Sequence, residues 1–168
     1  LGNVEVNLCR DAEASGSLGP DFTQCVWTLE TLETTQQLGQ HLARHLPKGS
    51  ILLLQGELGA GKTSLVQGLA QACGITEPIT SPTFALAQHY PDGNPPLVHL
   101  DLYRLEGAGS ADELFLQEEE EARAIGALMA VEWPERLRLT LPEAWRLELR
   151  YLQTGRRAQL TPPRNAST

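Results

Sequence analysis

The sequence predicts an α/β domain of three layers, built on a mixed sheet that is parallel in its core and antiparallel at two hairpins. Three observations carry that expectation. An apolar run, a glycine-rich turn and an amphipathic run succeed one another between residues 50 and 74, the order of a strand–turn–helix unit. Two later apolar runs, at residues 97–101 and 128–132, each end in a carboxylate, as strands do when they finish at a polar sheet edge. Residues 145–152 and 157–161 alternate in polarity across Thr154-Gly155, the signature of a hairpin. With 168 residues and 41% hydrophobic content, the chain has material for one domain with a core, and too little for two.

Taken in order, residues 1–21 lack sustained periodicity and carry Ala-Ser-Gly-Ser-Leu-Gly-Pro, so they read as a flexible N-terminal extension. Cys25 to Leu29 reads as a short strand. Leu38, Leu42 and Leu46, with Ala43 beside them, form the apolar stripe of a helix that ends before Pro47. Residues 50–55 are a buried strand; Leu65, Val66, Leu69, Ala70 and Cys73 then recur at helical spacing up to Gly74, a natural stop. Runs at 83–90 and 97–102 flank Pro91-Asp92-Gly93-Asn94-Pro95-Pro96, a turn by composition, and together predict a hairpin added to the sheet. Ser110 and Glu113 have capping-box spacing for a helix carrying Leu114, Phe115 and the acidic run 118–121, which reads as a solvated face. Residues 128–133 are a further strand, and residues 162–168 a tail. No internal repeat is present.

Composition narrows the function. A formal net charge of −8 and a pI near 5.0 oppose free-standing nucleic-acid binding, which needs clustered cations to neutralise phosphates. Six arginines concentrated in the last third (136, 138, 146, 150, 156 and 157) read as solvated strand and turn faces, with a local basic patch as the alternative. Cys9, Cys25 and Cys73 form no C-x-x-C pair, so no zinc site or disulfide framework is expected and a reducing cytosol fits. No apolar run approaches a membrane span, and a secretory signal pattern is missing from the first residues, so a soluble, cytoplasmic protein is expected. His41, His45, His89 and His99 show no metal-ligand spacing.

Gly56-Glu57-Leu58-Gly59-Ala60-Gly61-Lys62-Thr63 fits the phosphate-loop pattern G-x-x-x-x-G-K-[ST], and it lies between a strand and a helix, where the chemistry requires it. Its glycines allow the backbone N–H groups to turn inward on phosphate oxygens, assisted by the positive end of the helix dipole. Lys62 would reach the outer phosphates and the Thr63 hydroxyl would ligate Mg²⁺. The fold is thus expected to be P-loop NTPase-like. Such a loop binds nucleotide; hydrolysis also needs a carboxylate at a neighbouring strand end, and Asp101 and Glu132 compete for that place. Ser81 and Thr83, in a proline-stiffened segment, suit a switch responsive to a γ-phosphate, although a plain turn has the same composition. Trp133 reads as core packing, with a lid over the nucleotide as the alternative.

Four segments in register then resemble one family. Gly-Glu-Leu-Gly-Ala-Gly-Lys-Thr at 56–63, Ser-Pro-Thr-Phe at 81–84, His-Leu-Asp-Leu-Tyr-Arg at 99–104 and Val-Glu-Trp-Pro-Glu at 131–135 are similar to motifs of the bacterial TsaE (YjeE) family, with Thr-x-x-Leu-Gly-x-x-Leu-Ala visible from Thr35 to Ala43. The resemblance covers about residues 29–161 and implies that residues 22–161 form a P-loop ATPase domain. It implies an ATP- and Mg²⁺-dependent hydrolase that serves formation of N6-threonylcarbamoyladenosine at position 37 of tRNA. The implied partners are TsaB and TsaD, which transfer the threonylcarbamoyl group, so that tRNA is met only through the complex. Isolated activity is expected to be low. By matching motif, the resemblance assigns phosphate and metal to Lys62 and Thr63, the metal carboxylate to Glu132, and a second acidic role in hydrolysis to Asp101. Ser64 stands where relatives often have threonine, Ser81 and Thr83 resemble the nucleotide-sensing switch, and Trp133 resembles the aromatic beside the site. Nucleotide contacts are thereby expected from Glu57, Leu58, Gly59, Ala60, Gly61, Lys62, Thr63, Ser64, Thr83 and Trp133. The chain departs from the family at residues 116–123, which lack the expected glycine and aromatic.

Other readings share the loop. A small-molecule kinase would want an arginine-rich lid, and only Arg104 and Arg123 lie between the loop and Glu132. A GTP switch would want Asn-Lys-x-Asp, which does not occur, so adenine is favoured. A regulatory ATP-binding module with incidental hydrolysis is the non-enzymatic alternative.

Overall fold

The computed structural model describes residues 25–80, 86–107 and 109–164. Its elements in chain order are β1 (Cys25–Leu29), α1 (Leu32–His45), β2 (Ile51–Gly56), α2 (Lys62–Ala72), β3 (Ala87–Tyr90), β4 (Leu97–Asp101), α3 (Ser110–Ile125), β5 (Leu128–Glu132), a 3₁₀ turn (Pro134–Arg136), β6 (Trp145–Tyr151) and β7 (Arg156–Thr161). The strands form one seven-stranded sheet in the order β1-β7-β6-β2-β5-β4-β3. Pairs β6–β2, β2–β5 and β5–β4 are parallel; β1–β7, β7–β6 and β4–β3 are antiparallel. The mixed sheet, with its parallel core and hairpins at 87–101 and 145–161, is the architecture read from the sequence.

The burial patterns explain the order. Strand β5 is buried along its whole length and β2 and β4 nearly so, because helices cover both faces of the sheet. On β2, Leu52 and Leu54 face the cluster that holds Leu38 and Leu42 of α1 and Leu65 and Leu69 of α2, while Ile51 and Leu53 face Phe115 and Ala122 of α3. At the edge, β1 alternates buried and exposed. Helices α1 and α2 pack in near contact: a Cβ at Gly68 would lie 2.0 Å from the Gln36 carbonyl oxygen, so only glycine permits the approach. Side-chain amides then bridge the two helices, Gln36 to Gln67 at 2.9 Å and Gln40 to Gln71 at 2.7 Å.

Three local expectations are corrected. The N-cap of α3 is Gly109 at φ 85°, without a side-chain cap, and Ser110 is already helical, so the capping box does not form. The acidic run is not a uniformly solvated face. Ala111, Phe115, Glu118 and Ala122 share the buried stripe of α3, and Glu118 Oε2 is hydrogen-bonded to His89 Nε2 across to β3, with Glu121 Oε2 3.9 Å from His89 Nδ1. Helical periodicity drives Glu118 inward regardless of its charge, and one histidine and two glutamates thereby meet although no sequence spacing announced it. Cys25 is disulfide-bonded where no disulfide was expected, while Cys73 is a free, buried thiol. Within the run read as strand at 83–90, Ala87–Tyr90 is strand and residues 81–85, with Ser81 and Thr83, lie outside the described residues, as do residues 1–24. Among the described residues no helix is long and apolar enough to cross a membrane.

Candidate active site

The parallel strands β2, β4, β5 and β6 all point their C-terminal ends to one edge of the sheet, the usual place for a ligand crevice in such folds. Strand β2 ends at Gly56, and the loop that follows turns into α2 through Gly61, whose φ of 106° is left-handed and excludes a β-carbon without strain. Gly61 caps α2 without any side-chain hydrogen bond; the first intrahelical bond runs from Leu65 N to Gly61 O at 2.9 Å. The backbone N–H groups of the first turn are therefore free to meet an anion.

A cavity of about 520 Å³ lies at this edge. From the loop and first turn of α2, Leu58, Gly59, Gly61, Lys62, Thr63 and Ser64 line it. Asp101, Glu132 and Trp133 line it from the ends of β4 and β5. Ala60 is fully buried beneath the loop and donates its N–H to Glu57 O at 3.0 Å; the Glu57 side chain is exposed, outside the lining. Thr83 lies outside the described residues.

Lys62 is only 5% exposed. Its ammonium donates to Gly56 O at 2.5 Å and lies 3.7 Å from the centroid of the Trp133 ring. Burial lowers its pKa below the usual lysine value, with Glu132, Glu135 and Asp101 pulling the other way. Trp133 holds a left-handed backbone, φ 59°, the single positive-φ residue other than glycine among the described residues. That bend ends β5, half-buries the indole against the α3-side cluster and turns its ring over Lys62. Packing and site contact, read from sequence as alternatives, are thus both features of Trp133. The Tyr103 ring packs against it at a tilt of 40°, with centroids 4.8 Å apart.

The carboxylates converge through sheet register. Asp101 and Glu132 are paired residues of adjacent parallel strands, and Leu54, two residues before the glycine loop, pairs with Glu132 from the other side. Asp101 Oδ1 accepts the Tyr103 N–H at 3.0 Å. Glu132, 3% exposed, is hydrogen-bonded through Oε2 to His99 Nε2 at 2.5 Å. Hard oxygen donors on Thr63, Glu132 and Asp101 around one cavity suit Mg²⁺, which takes few protein carboxylates and leaves room for phosphate oxygens.

Sequence reasoning missed the clasp on the loop. Tyr151, at the end of β6, donates its hydroxyl to Leu58 O at 2.9 Å, and Arg156, at the start of β7, donates from Nη2 to Gly59 O at 3.0 Å. Arg156, expected from the sequence on a solvated face, lines the cavity instead. No local signal marks either residue, because their loop partners lie more than ninety positions earlier in the chain.

The family model described as threonylcarbamoyl adenosine biosynthesis protein TsaE matches residues 29–159. A Synechocystis protein named tRNA threonylcarbamoyladenosine biosynthesis protein TsaE is 54% identical over 112 residues, covering 65% of this chain and 69% of its own. A Nostoc protein of the same name is 46% identical over 134 residues, 77% of this chain and 81% of its own. The crystal structure of Bacillus subtilis YdiB superposes with a TM-score of 0.67 at 29% identity, covering 84% of this chain and 86% of that one. A family match over more than half its length, joined to that shared architecture, makes this chain a member of the TsaE family of threonylcarbamoyl adenosine biosynthesis proteins.

Proposed function

We propose that this chain binds and hydrolyses ATP with Mg²⁺, and that it does so in the service of N6-threonylcarbamoyladenosine formation on tRNA, together with TsaB- and TsaD-type proteins in the cytoplasm. One observation carries the reading: Lys62 and Thr63 of the glycine loop share a single cavity with Asp101 and Glu132, brought there from two other strands. A phosphoryl transfer asks the protein mainly to position groups and neutralise charge. The first-turn N–H groups of α2 and the Lys62 ammonium would hold the phosphates. Thr63 and Glu132 would hold Mg²⁺, which when bound neutralises charge on the outer phosphates. Asp101 would orient water. The net charge of −8 supports a chain that meets tRNA through partners rather than directly.

Lys62→Ala and Glu132→Ala are each expected to lower ATP turnover by at least 100-fold, measured as phosphate release in the presence of TsaB and TsaD. Turnover equal to that of the parent in either variant overturns the assignment. Addition of the two partner proteins is expected to raise the parent's rate. Phosphate appearing on a small-molecule acceptor instead of in water would make the chain a kinase.

A further inference from the structure

Beside the Glu132 carboxylate stands a buried histidine, His99. His99 lies on β4, one pleat before Asp101, and shares its face of the sheet. In register it pairs with Ala130, two residues before Glu132, so its ring projects beside the Glu132 side chain. The imidazole is fully buried, and Nε2 is 2.5 Å from Glu132 Oε2. Nδ1 is also buried and has no hydrogen-bond partner.

That orphan nitrogen is informative. A neutral imidazole carries one N–H and one bare nitrogen. With the proton on Nε2 the ring donates to Glu132 and leaves a bare acceptor unpaired; the opposite tautomer would orphan an N–H and place a lone pair against a carboxylate. The geometry therefore selects Nε2–H. An aliphatic side chain could fill this interior without stranding a polar atom, and stranding one costs stability. The compensation available at this position is the fixed orientation of Glu132, whose Oε2 is held by the ring while the carboxylate faces the cavity.

We propose that His99 is a positioning residue for the divalent cation: it fixes the rotamer of Glu132 so that the carboxylate meets the metal at the end of β5. The inference rests on the assignment of Glu132 as metal ligand. Carboxylates that ligate metals are themselves hydrogen-bonded, and loss of such a partner typically weakens metal binding 10- to 100-fold.

The experiment compares two amides of different reach. In His99→Gln the amide N–H arrives near the place of Nε2; in His99→Asn it arrives near Nδ1, out of reach of Glu132. Binding of Mn²⁺, standing in for Mg²⁺, is measured by electron paramagnetic resonance on the purified full chain loaded with a nonhydrolysable ATP analogue, with Glu132→Gln alongside. Analogue affinity is measured separately in EDTA, and folding by thermal melting. His99→Asn is expected to weaken Mn²⁺ binding by about 10-fold or more, His99→Gln to stay within about threefold of the parent, and analogue affinity in EDTA to be unchanged in both. Equal loss in Asn and Gln variants makes the histidine a packing residue and overturns the proposal, as does parental Mn²⁺ affinity in His99→Asn while Glu132→Gln is impaired. Parental affinity in Glu132→Gln removes the metal assignment itself, and this inference with it.

Discussion

Lys62 has two partners that a polyphosphate would have to replace. Its ammonium is shared between the Gly56 carbonyl and the face of Trp133, and a desolvated cation–π contact is worth about 2 kcal/mol. Phosphate oxygens carry full charge and should outcompete both. Trp133 would then lose the cation above its ring, whereas Trp27 and Trp145 are buried in the core on the α1 side of the sheet and would register nothing. Addition of Mg²⁺ and ATP is expected to change tryptophan emission in the parent and in Trp27→Phe, and not in Trp133→Phe. Unchanged emission in the parent would mean that the phosphates do not draw this lysine from the Trp133 ring. The reach of sequence reasoning also shows at this scale. Gly61, Lys62, Thr63 and Glu132 were legible because a loop pattern and a carboxylate at a strand end are local. His99 was not: its partner is 33 residues away, and only the β4–β5 register brings the two together.

At the level of elements, the contact between α1 and α2 positions the glycine loop, since α2 begins where the loop ends. Gly68→Ala would drive a methyl group to 2.0 Å from the backbone of Gln36, which has no flexible atom to yield. The helices must separate, at a cost of about 1–3 kcal/mol, whereas Gly74→Ala meets open space and is strained only by its φ of 74°. Urea unfolding checks the first, and a loss below about 0.5 kcal/mol would contradict the packing described. Leu65→Ala, at the same contact, should cost about 2–5 kcal/mol as a buried leucine truncation. Boundaries of these helices were readable from periodicity, as with the stop at Gly74, because that pattern lies within one element. The N-terminus of α3 was misread: a left-handed Gly109 serves where Ser110 has the better side chain, and Glu118 is carried inward by the helix that Phe115 and Ala122 anchor. In both places backbone geometry set by tertiary packing overrode side-chain preference.

The whole molecule has a charge balance that makes its acid limb informative. His41 on α1 has its pKa lowered from 6.5 to about 4, first by burial and then by the nearby His45 and Arg44. A histidine that stays neutral when folded and titrates normally when unfolded gives the unfolded chain the greater proton uptake between pH 6.5 and 4. Stability therefore falls as pH drops through that window, and His41→Gln should make the fall shallower. Unfolding free energies at pH 7.0, 5.5 and 4.5 test this; parallel curves for parent and variant would show that the ring is solvated. At this scale the sheet order was the least legible feature. Composition and alternation pointed to the two hairpins, but which strand flanks β2 on each side depends on pairings between residues far apart in the chain.

That topology has a consequence for synthesis. The glycine loop ends at residue 63, yet its clasps are the hydroxyl of Tyr151 and the guanidinium of Arg156, and among the described residues β1 has β7 as its one neighbour in the sheet. A ribosome-bound chain thus displays the whole glycine loop long before it owns the residues that brace it, and β1 waits for β7 to emerge.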